Sequence, residues 1–191
     1  MTRVPRFKKL AMAAVAAVVT PVLLAGCSED KPQAVPELPA RVCWGAFSGS
    51  EISPFLPAGE KVTVSDGDFV LEESLDSETC SVDVDGITRF TAHATFREFE
   101  RSIEWSSWDS RDPRPLDVGR GGVIWDGGGA THFACEPSTS PSDPGKYIAL
   151  YVHTLGGVDR EKIRSAVPGL LEEFMTFAQR ELKCPGGSAG R

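Results

Sequence analysis

The chain has 191 residues, with 27 Asp and Glu against 20 Lys and Arg, and a formal net charge of −7 at neutral pH. That balance excludes nucleic-acid binding as a leading function, because phosphate recognition needs a basic footprint. Charge is silent on fold, which has to be read from pattern along the chain.

The first nine residues carry Arg3, Arg6, Lys8 and Lys9 and no acid, and Leu10 to Gly26 is uncharged. A basic start followed by an apolar run of this length is the pattern of a signal peptide. A plain N-terminal membrane anchor is the weaker reading, because a bilayer span takes roughly 20 apolar residues. This run is shorter, holds Pro21, and gives way at Cys27 to the acidic Ser28-Glu29-Asp30. It closes on Leu24-Ala25-Gly26-Cys27, which resembles the lipobox of bacterial lipoproteins: Leu, two small residues, then cysteine. The resemblance implies a leader over residues 1–26, cleavage before Cys27, and a diacylglyceryl group on the Cys27 thiol. Acyl chains on Cys27 would then be the link to the cell membrane, with the protein on its extracytoplasmic side.

Without residues 1–26 the chain has 16 Lys and Arg against 27 Asp and Glu, a net charge of −11. Anionic headgroups would repel such a surface, so the anchor and not the surface is expected to hold it at the membrane. A nucleic-acid partner is not expected.

Residues 27–41 read as an acylated cysteine and an extended tether with Pro32, Pro36 and Pro39. At polyproline-like extension it would span about 40 Å. Residues 42–184 are expected to form a single globular domain, long enough to bury a core. Residues 185–191 are expected to be a disordered tail with nothing to bury.

Within the domain, Ser50 is a candidate N-cap for a short helix in which Ile52, Phe55 and Leu56 share a face, with Pro57 as the stop. Residues 60–75 alternate and break at Asp66-Gly67, a hairpin signal. Residues 80–100 alternate on both sides of Asp85-Gly86, a tight turn; Phe90, Ala92, Ala94 and Phe96 take one face, Thr91, His93, Thr95 and Arg97 the other. Residues 101–117 are charged and proline-bearing, hence a long loop. Residues 118–136 read as two strands about a glycine turn, and 137–146 as loop. Residues 147–155 form a strand with Ile148, Leu150 and Val152 on one face. A final helix over 159–184 is capped by Asp159, with Ile163, Val167, Leu170, Phe174 and Phe177 as its apolar stripe; Pro168 should kink or restart it. Strands first and a long helix last predict an α+β fold: an antiparallel sheet of six or seven short strands, with a short N-terminal and a long C-terminal helix packed on it.

The four domain cysteines, Cys43, Cys80, Cys135 and Cys184, are spaced too widely for a zinc or thioredoxin-like motif. In an exported chain an even number reads as two disulfides, with three possible connectivities. The preferred one is Cys43–Cys80 with Cys135–Cys184, each stapling an element near one end of the domain to the sheet.

Cys43-Trp44-Gly45, Leu56-Pro57, Cys80, Asp85-Gly86, Cys135 and Cys184 together are similar in layout to a class of actinobacterial lipoproteins, and more loosely to the DUF3558-type lipoproteins. The resemblance implies an antiparallel sheet flanked by helices, of the Mog1/PsbP-like sort, and brings no catalytic residues. An excess of Arg over Lys, 13 to 7, fits an actinobacterial source.

Motifs for chemistry are few. His93, His132 and His153 lie in separate predicted strands, without the close spacing of a metal-binding pair. Asp83-Val84-Asp85-Gly86 resembles a fragment of a calcium loop, but the twelfth position is Ala94 and not a bidentate Glu, so a hairpin turn explains it better. The glycines of 119–129 match neither phosphate-binding spacing. No nucleophile elbow is present, and Glu72-Glu73 and Glu172-Glu173 read as solvated carboxylates. No catalytic residue, metal or cofactor is expected. The most distinctive feature is Trp105 and Trp108 in a charged loop with Arg111 and Arg114, residue types enriched at binding hot spots; packing of both indoles against a small core is the plainer alternative. These features favour a non-enzymatic binding or accessory module for an envelope protein or glycan. A cell-envelope hydrolase using carboxylates and a carrier of lipid or other apolar ligands are the alternatives.

Overall fold

The computed structural model describes residues 34–105, 113–140 and 142–185. In chain order the elements are β1 (Arg41–Val42), β2 (Phe47–Ser48), α1 (Gly49–Ile52, continued by a 3-10 turn at Ser53–Phe55), β3 (Val62–Ser65), β4 (Ser77–Val84) and β5 (Ile87–Arg97). A 3-10 turn at Glu100–Ser102 follows, then β6 (Arg114–Leu116), β7 (Gly122–Trp125), β8 (Gly128–Glu136), β9 (Lys146–Thr154) and α2 (Arg160–Glu181). Strands β3 to β9 form one antiparallel sheet in the order β3-β4-β5-β9-β8-β7-β6, while β1 and β2 make a separate two-stranded ribbon. The fold is α+β, as its pattern predicts.

Alternation sets the two faces of the sheet. Opposite Cys80 and Val82 of β4 stand Ala92 and Phe90 of β5, and opposite Ala92, Ala94 and Phe96 stand Val152, Leu150 and Ile148 of β9. These residues point to the inner face, where α2 lays Ile163, Val167, Leu170, Leu171, Phe174 and Phe177 over them. Phe174 is at the centre, with its ring centroid 5.4 Å from that of Phe47 and 5.9 Å from that of Trp44. Phe47 in turn meets Phe90 edge-on at 5.6 Å.

The Asp85-Gly86 turn joins β4 to β5 with φ of 53° and 76°, the paired positive values of a tight hairpin turn. The Asp85 carboxylate also accepts the backbone N–H of Lys61 at 2.9 Å and of Glu60 at 3.0 Å, fastening the start of β3. The carboxylate therefore acts as a turn anchor.

Disulfides join Cys43 to Cys80 and Cys135 to Cys184, the connectivity preferred above. The first bridge holds an unusual turn. Cys43, Trp44 and Gly45 all have positive φ, of 52°, 59° and 83°. Two non-glycine residues in the left-handed region cost roughly 1–2 kcal/mol each, so their surroundings must determine them. Besides the disulfide, Trp44 stacks on Phe174 and meets Phe69 edge-on, its backbone N–H donates to the Asp66 carboxylate, and the Arg41 guanidinium donates to the Gly45 carbonyl at 2.6 Å.

Four expectations are corrected. The short helix is capped by Ser48 and not Ser50: the Ser48 hydroxyl accepts from the Glu51 N–H while the Glu51 carboxylate accepts from the Ser48 N–H, a reciprocal capping box. Asp66-Gly67 makes no hairpin, because β3 pairs with β4 and Asp66 is held by Trp44. The expected loop over 101–117 contains a 3-10 turn and β6, an edge strand; Pro115 suits an edge because it has no N–H to donate. Finally, of the kink or restart expected at Pro168, the restart is overturned: α2 is one helix from Arg160 to Glu181.

Domain packing also begins before residue 42. Val35 and Leu38 lie against the core, and the Gly59 and Gly49 N–H groups donate to the carbonyls of Ala34 and Ala40. Gly49 permits this approach: a Cβ there would come within 2.2 Å of the Pro39 oxygen.

Candidate functional site

The polar residues that alternate with the core on β5, β8 and β9 face away from α2. This outer face carries Thr91, His93, Thr95 and Arg97 of β5, Tyr147, Ala149, Tyr151 and His153 of β9, Ala130 and His132 of β8, and Val123 and Trp125 of β7. It is not uniformly wet. Trp125, Ala130, Ala149 and Tyr151 are buried in a small second cluster, with Ile103, Trp105 and Val123 packed against them. Residues 99–105 therefore act as a strap across the outer face. Trp105, half-buried, meets Tyr151 edge-on at 5.7 Å and His132 at 5.8 Å.

The strap is tied down beside Trp105. Glu100 accepts two hydrogen bonds from the Arg120 guanidinium, at 2.6 and 3.2 Å, and faces Nε2 of His132 at 3.1 Å. The other ring nitrogen, Nδ1, faces the Gly121 carbonyl at 3.2 Å. Arg120, helped by His132, holds the Glu100 carboxyl below its ordinary range, and Glu100 raises Arg120 in return. Glu100 also lines a surface cleft of about 400 Å³ with Phe99, Arg101, Ser138, Thr139, Ser140 and Tyr147. In that cleft the Arg101 guanidinium lies 4.7 Å from the Phe99 ring.

Of the residues singled out from the sequence, Trp105 is on the strap and Arg114 is exposed on β6, at the far edge of the sheet. Trp108 and Arg111 lie outside the described residues, as does Cys27. The three histidines share the outer face but serve separate contacts. His93 is bonded between Thr79 and Thr95 at 2.7 and 3.0 Å, and burial lowers its proton affinity; His153 lies beside Trp125. Among the described residues no three His, Cys, Asp or Glu side chains converge to hold a metal ion.

Sequence reasoning missed Glu100, Arg120 and His132 as one unit. Alternation places His132 on the outer face, but nothing local ties it to a carboxylate 32 residues away.

A second cluster lies on the helical side. Glu51 and Glu173 line a cavity of about 580 Å³ with Arg41, Ser48, Glu172 and Arg180. The two carboxyls hydrogen-bond each other, so they share a proton. Burial, then the bond to Glu51, pushes Glu173 up to about 7, while the bond to Glu173, then that to Ser48, lowers Glu51. Carboxyls in direct contact are too close for glycoside hydrolysis, which needs about 5–9.5 Å between them. Glu51 Oε2 is moreover occupied by the Ser48 N–H and hydroxyl. The pair suits a proton-sharing contact between α1 and α2 better than acid–base chemistry. Because the folded-state value of Glu173 lies above its unfolded one, the folded protein holds a proton that the unfolded chain releases. Stability therefore falls as pH rises from 4.5 towards 7. Glu173→Gln removes this titration, and the variant is expected to gain of order 1 kcal/mol on wild type at pH 8.5, allowing for solvent screening, and nothing at pH 4. Urea unfolding at both pH values checks this; equal gaps at the two would refute it.

Comparison with known proteins finds no match: no family model, no curated protein and no solved structure matches the chain.

Proposed function

We propose that the protein is a lipid-anchored module on the extracytoplasmic side of the cell membrane, which binds envelope glycan through the strap side of its outer sheet face. The anchor reading rests on the lipobox-like Leu24-Ala25-Gly26-Cys27 and its basic and apolar lead-in. No helix among the described residues is long and apolar enough to cross a membrane; the anchor reading puts the attachment on Cys27.

The binding reading rests on one observation: Glu100 joins the 400 Å³ cleft to the seat of Trp105. Aromatic rings beside a carboxylate, a guanidinium and several hydroxyls match the chemistry of a sugar, whose C–H faces lie on rings and whose hydroxyls bond planar polar groups. The apolar-carrier alternative has less support, because Phe47, Phe90, Leu150, Leu171 and Phe174 fill the layer between sheet and α2.

The reading is tested on protein recovered from membranes. Its mass is expected to match a chain that starts at an acylated residue 27, and it is expected to co-sediment with insoluble peptidoglycan. Trp105→Ala should lower that retention about tenfold or more, the loss typical of a hot-spot aromatic, with an unchanged far-ultraviolet spectrum. Wild-type protein that stays in the supernatant, or a variant retained as well as wild type, would overturn glycan binding; an unmodified N-terminus would overturn the anchor.

A further inference from the structure

The chain enters the domain at one end of the sheet. Ala34 is already fastened there: its carbonyl accepts the Gly59 N–H at 3.0 Å. Gly59 in turn lies against the β4–β5 turn, where a Cβ on it would come within 2.2 Å of Val84 Cγ1 and 2.8 Å of Asp85 Oδ2. Cys27 and Ala34 are seven positions apart. A chain stretched to its limit covers about 25 Å over that distance, which is half of what a tether ending at residue 41 would provide. The cleft of Glu100 and Tyr147 is at the opposite end of the sheet. Strand β5, 11 residues long, starts at the turn and ends at Arg97, opposite Tyr147; at the usual strand rise its ends are about 33 Å apart.

The two ends differ in surface. Beside the turn, Ile87 is 55 % exposed, more than Val70 or Leu75, the other exposed large apolar side chains among the described residues. Lys61 and Arg89 stand there against Glu60, Asp83 and Asp85. At the far end Glu72, Glu73, Glu98 and Glu136 line a cavity of about 470 Å³, with Lys146 beside them. The acidic excess is greater at that end than at the turn.

We propose that the β4–β5 turn is a membrane-docking surface: Ile87 enters the headgroup layer of the phospholipid bilayer that holds Cys27, and the cleft of Glu100 and Tyr147 faces away from it. The proposal rests on the anchor part of the function proposed above. The short tether keeps the turn near the bilayer, and an apolar side chain gains by leaving water there. Anionic headgroups repel the glutamates of the far end more strongly than the turn, so the turn is the end that docks. The glycan-binding side is then presented outward.

Hydrogen exchange read by mass spectrometry tests the docking. A chain that begins at Cys27 is coupled through that thiol to a maleimide lipid, in vesicles of phosphatidylcholine and phosphatidylglycerol in equal parts. The four domain cysteines are paired, which leaves Cys27 as the reactive thiol. The reference is the same chain capped with N-ethylmaleimide and mixed with plain vesicles. Coupling is expected to slow exchange of residues 84–88 several-fold and to leave residues 98–101 and 137–140, which carry the cleft, unchanged. Ile87→Asp, a change at an exposed position, should abolish the slowing while β9 and α2 keep wild-type protection. No slowing at the turn, slowing at the cleft instead, or slowing that survives Ile87→Asp would each overturn the docking surface. The mass of the native N-terminus judges the anchor separately. An acylated chain whose turn stays unprotected refutes docking alone; an unmodified one refutes the anchor, and docking in the cell with it.

Discussion

Replacing Phe174 with alanine is expected to lower the unfolding free energy by about 3–5 kcal/mol, the range for deleting a fully buried aromatic ring. Phe174 is 0 % exposed and contacts Phe47, Trp44 and Phe69, aromatic rings drawn from β2 and from the turns that precede β2 and follow β3. Its loss would leave a void bounded by rigid rings, which cannot collapse into it as flexible side chains could. The damage would also reach the Cys43-Trp44-Gly45 turn, because the Trp44 ring that stacks on Phe174 helps hold two non-glycine residues in the left-handed region. Against a domain stability of about 5–15 kcal/mol, such a loss approaches unfolding. Urea denaturation measures it, with exposed Thr176→Ala, two residues on and on the outside of α2, as a control expected to change stability by less than about 0.5 kcal/mol. A Phe174→Ala variant within 1 kcal/mol of wild type would contradict this account of the core.

Removing the Cys43–Cys80 bridge by paired Cys→Ala substitution is expected to lower stability by about 2–4 kcal/mol, the usual range for a disulfide. The bridge closes a sequence separation of 37 residues and fastens the strained turn to the centre of β4. The Cys135–Cys184 bridge closes 49 residues and ties the end of α2 to β8. Loop-closure entropy alone would make the two nearly equal, since it grows only with the logarithm of loop length. The first bridge should nevertheless cost less to remove, because its turn can relax out of positive φ once released and so recover part of the loss. Thermal unfolding of the two double variants, beside wild type under strong reductant, checks both size and order. If losing Cys43–Cys80 proved the more damaging, the turn would not be under the strain assigned to it.

Several misreadings have physical causes. Ser50 is as good an intrinsic cap as Ser48, but only Ser48 has Glu51 three residues on; that Ser-x-x-Glu spacing was legible and is the stronger signal. Asp66-Gly67 has the chemistry of a tight turn, yet a hairpin also needs a second arm that pairs. Residues 68–76 supply none, because β4 starts at Ser77 and takes β3 as its partner. Pro168 removes one N–H from α2, a loss that the apolar stripe on either side of it outweighs by burial.

What the sequence alone determined follows from short-range periodicity: the two faces of β5 and β9, the turn at Asp85-Gly86, the apolar stripe of α2, and an even set of domain cysteines. All but the cysteine count depend on residues within a few positions of one another, where backbone geometry dictates which side chains share a face. What only the tertiary structure decided is which elements meet. Strand β9 enters the sheet between β5 and β8 and carries Tyr151 under Trp105. The strap brings Glu100 to His132, and α2 brings Glu173 to Glu51. These contacts join residues 32 to 122 positions apart. They form because burying both faces of one sheet has a particular solution in space, which no local period along the chain encodes.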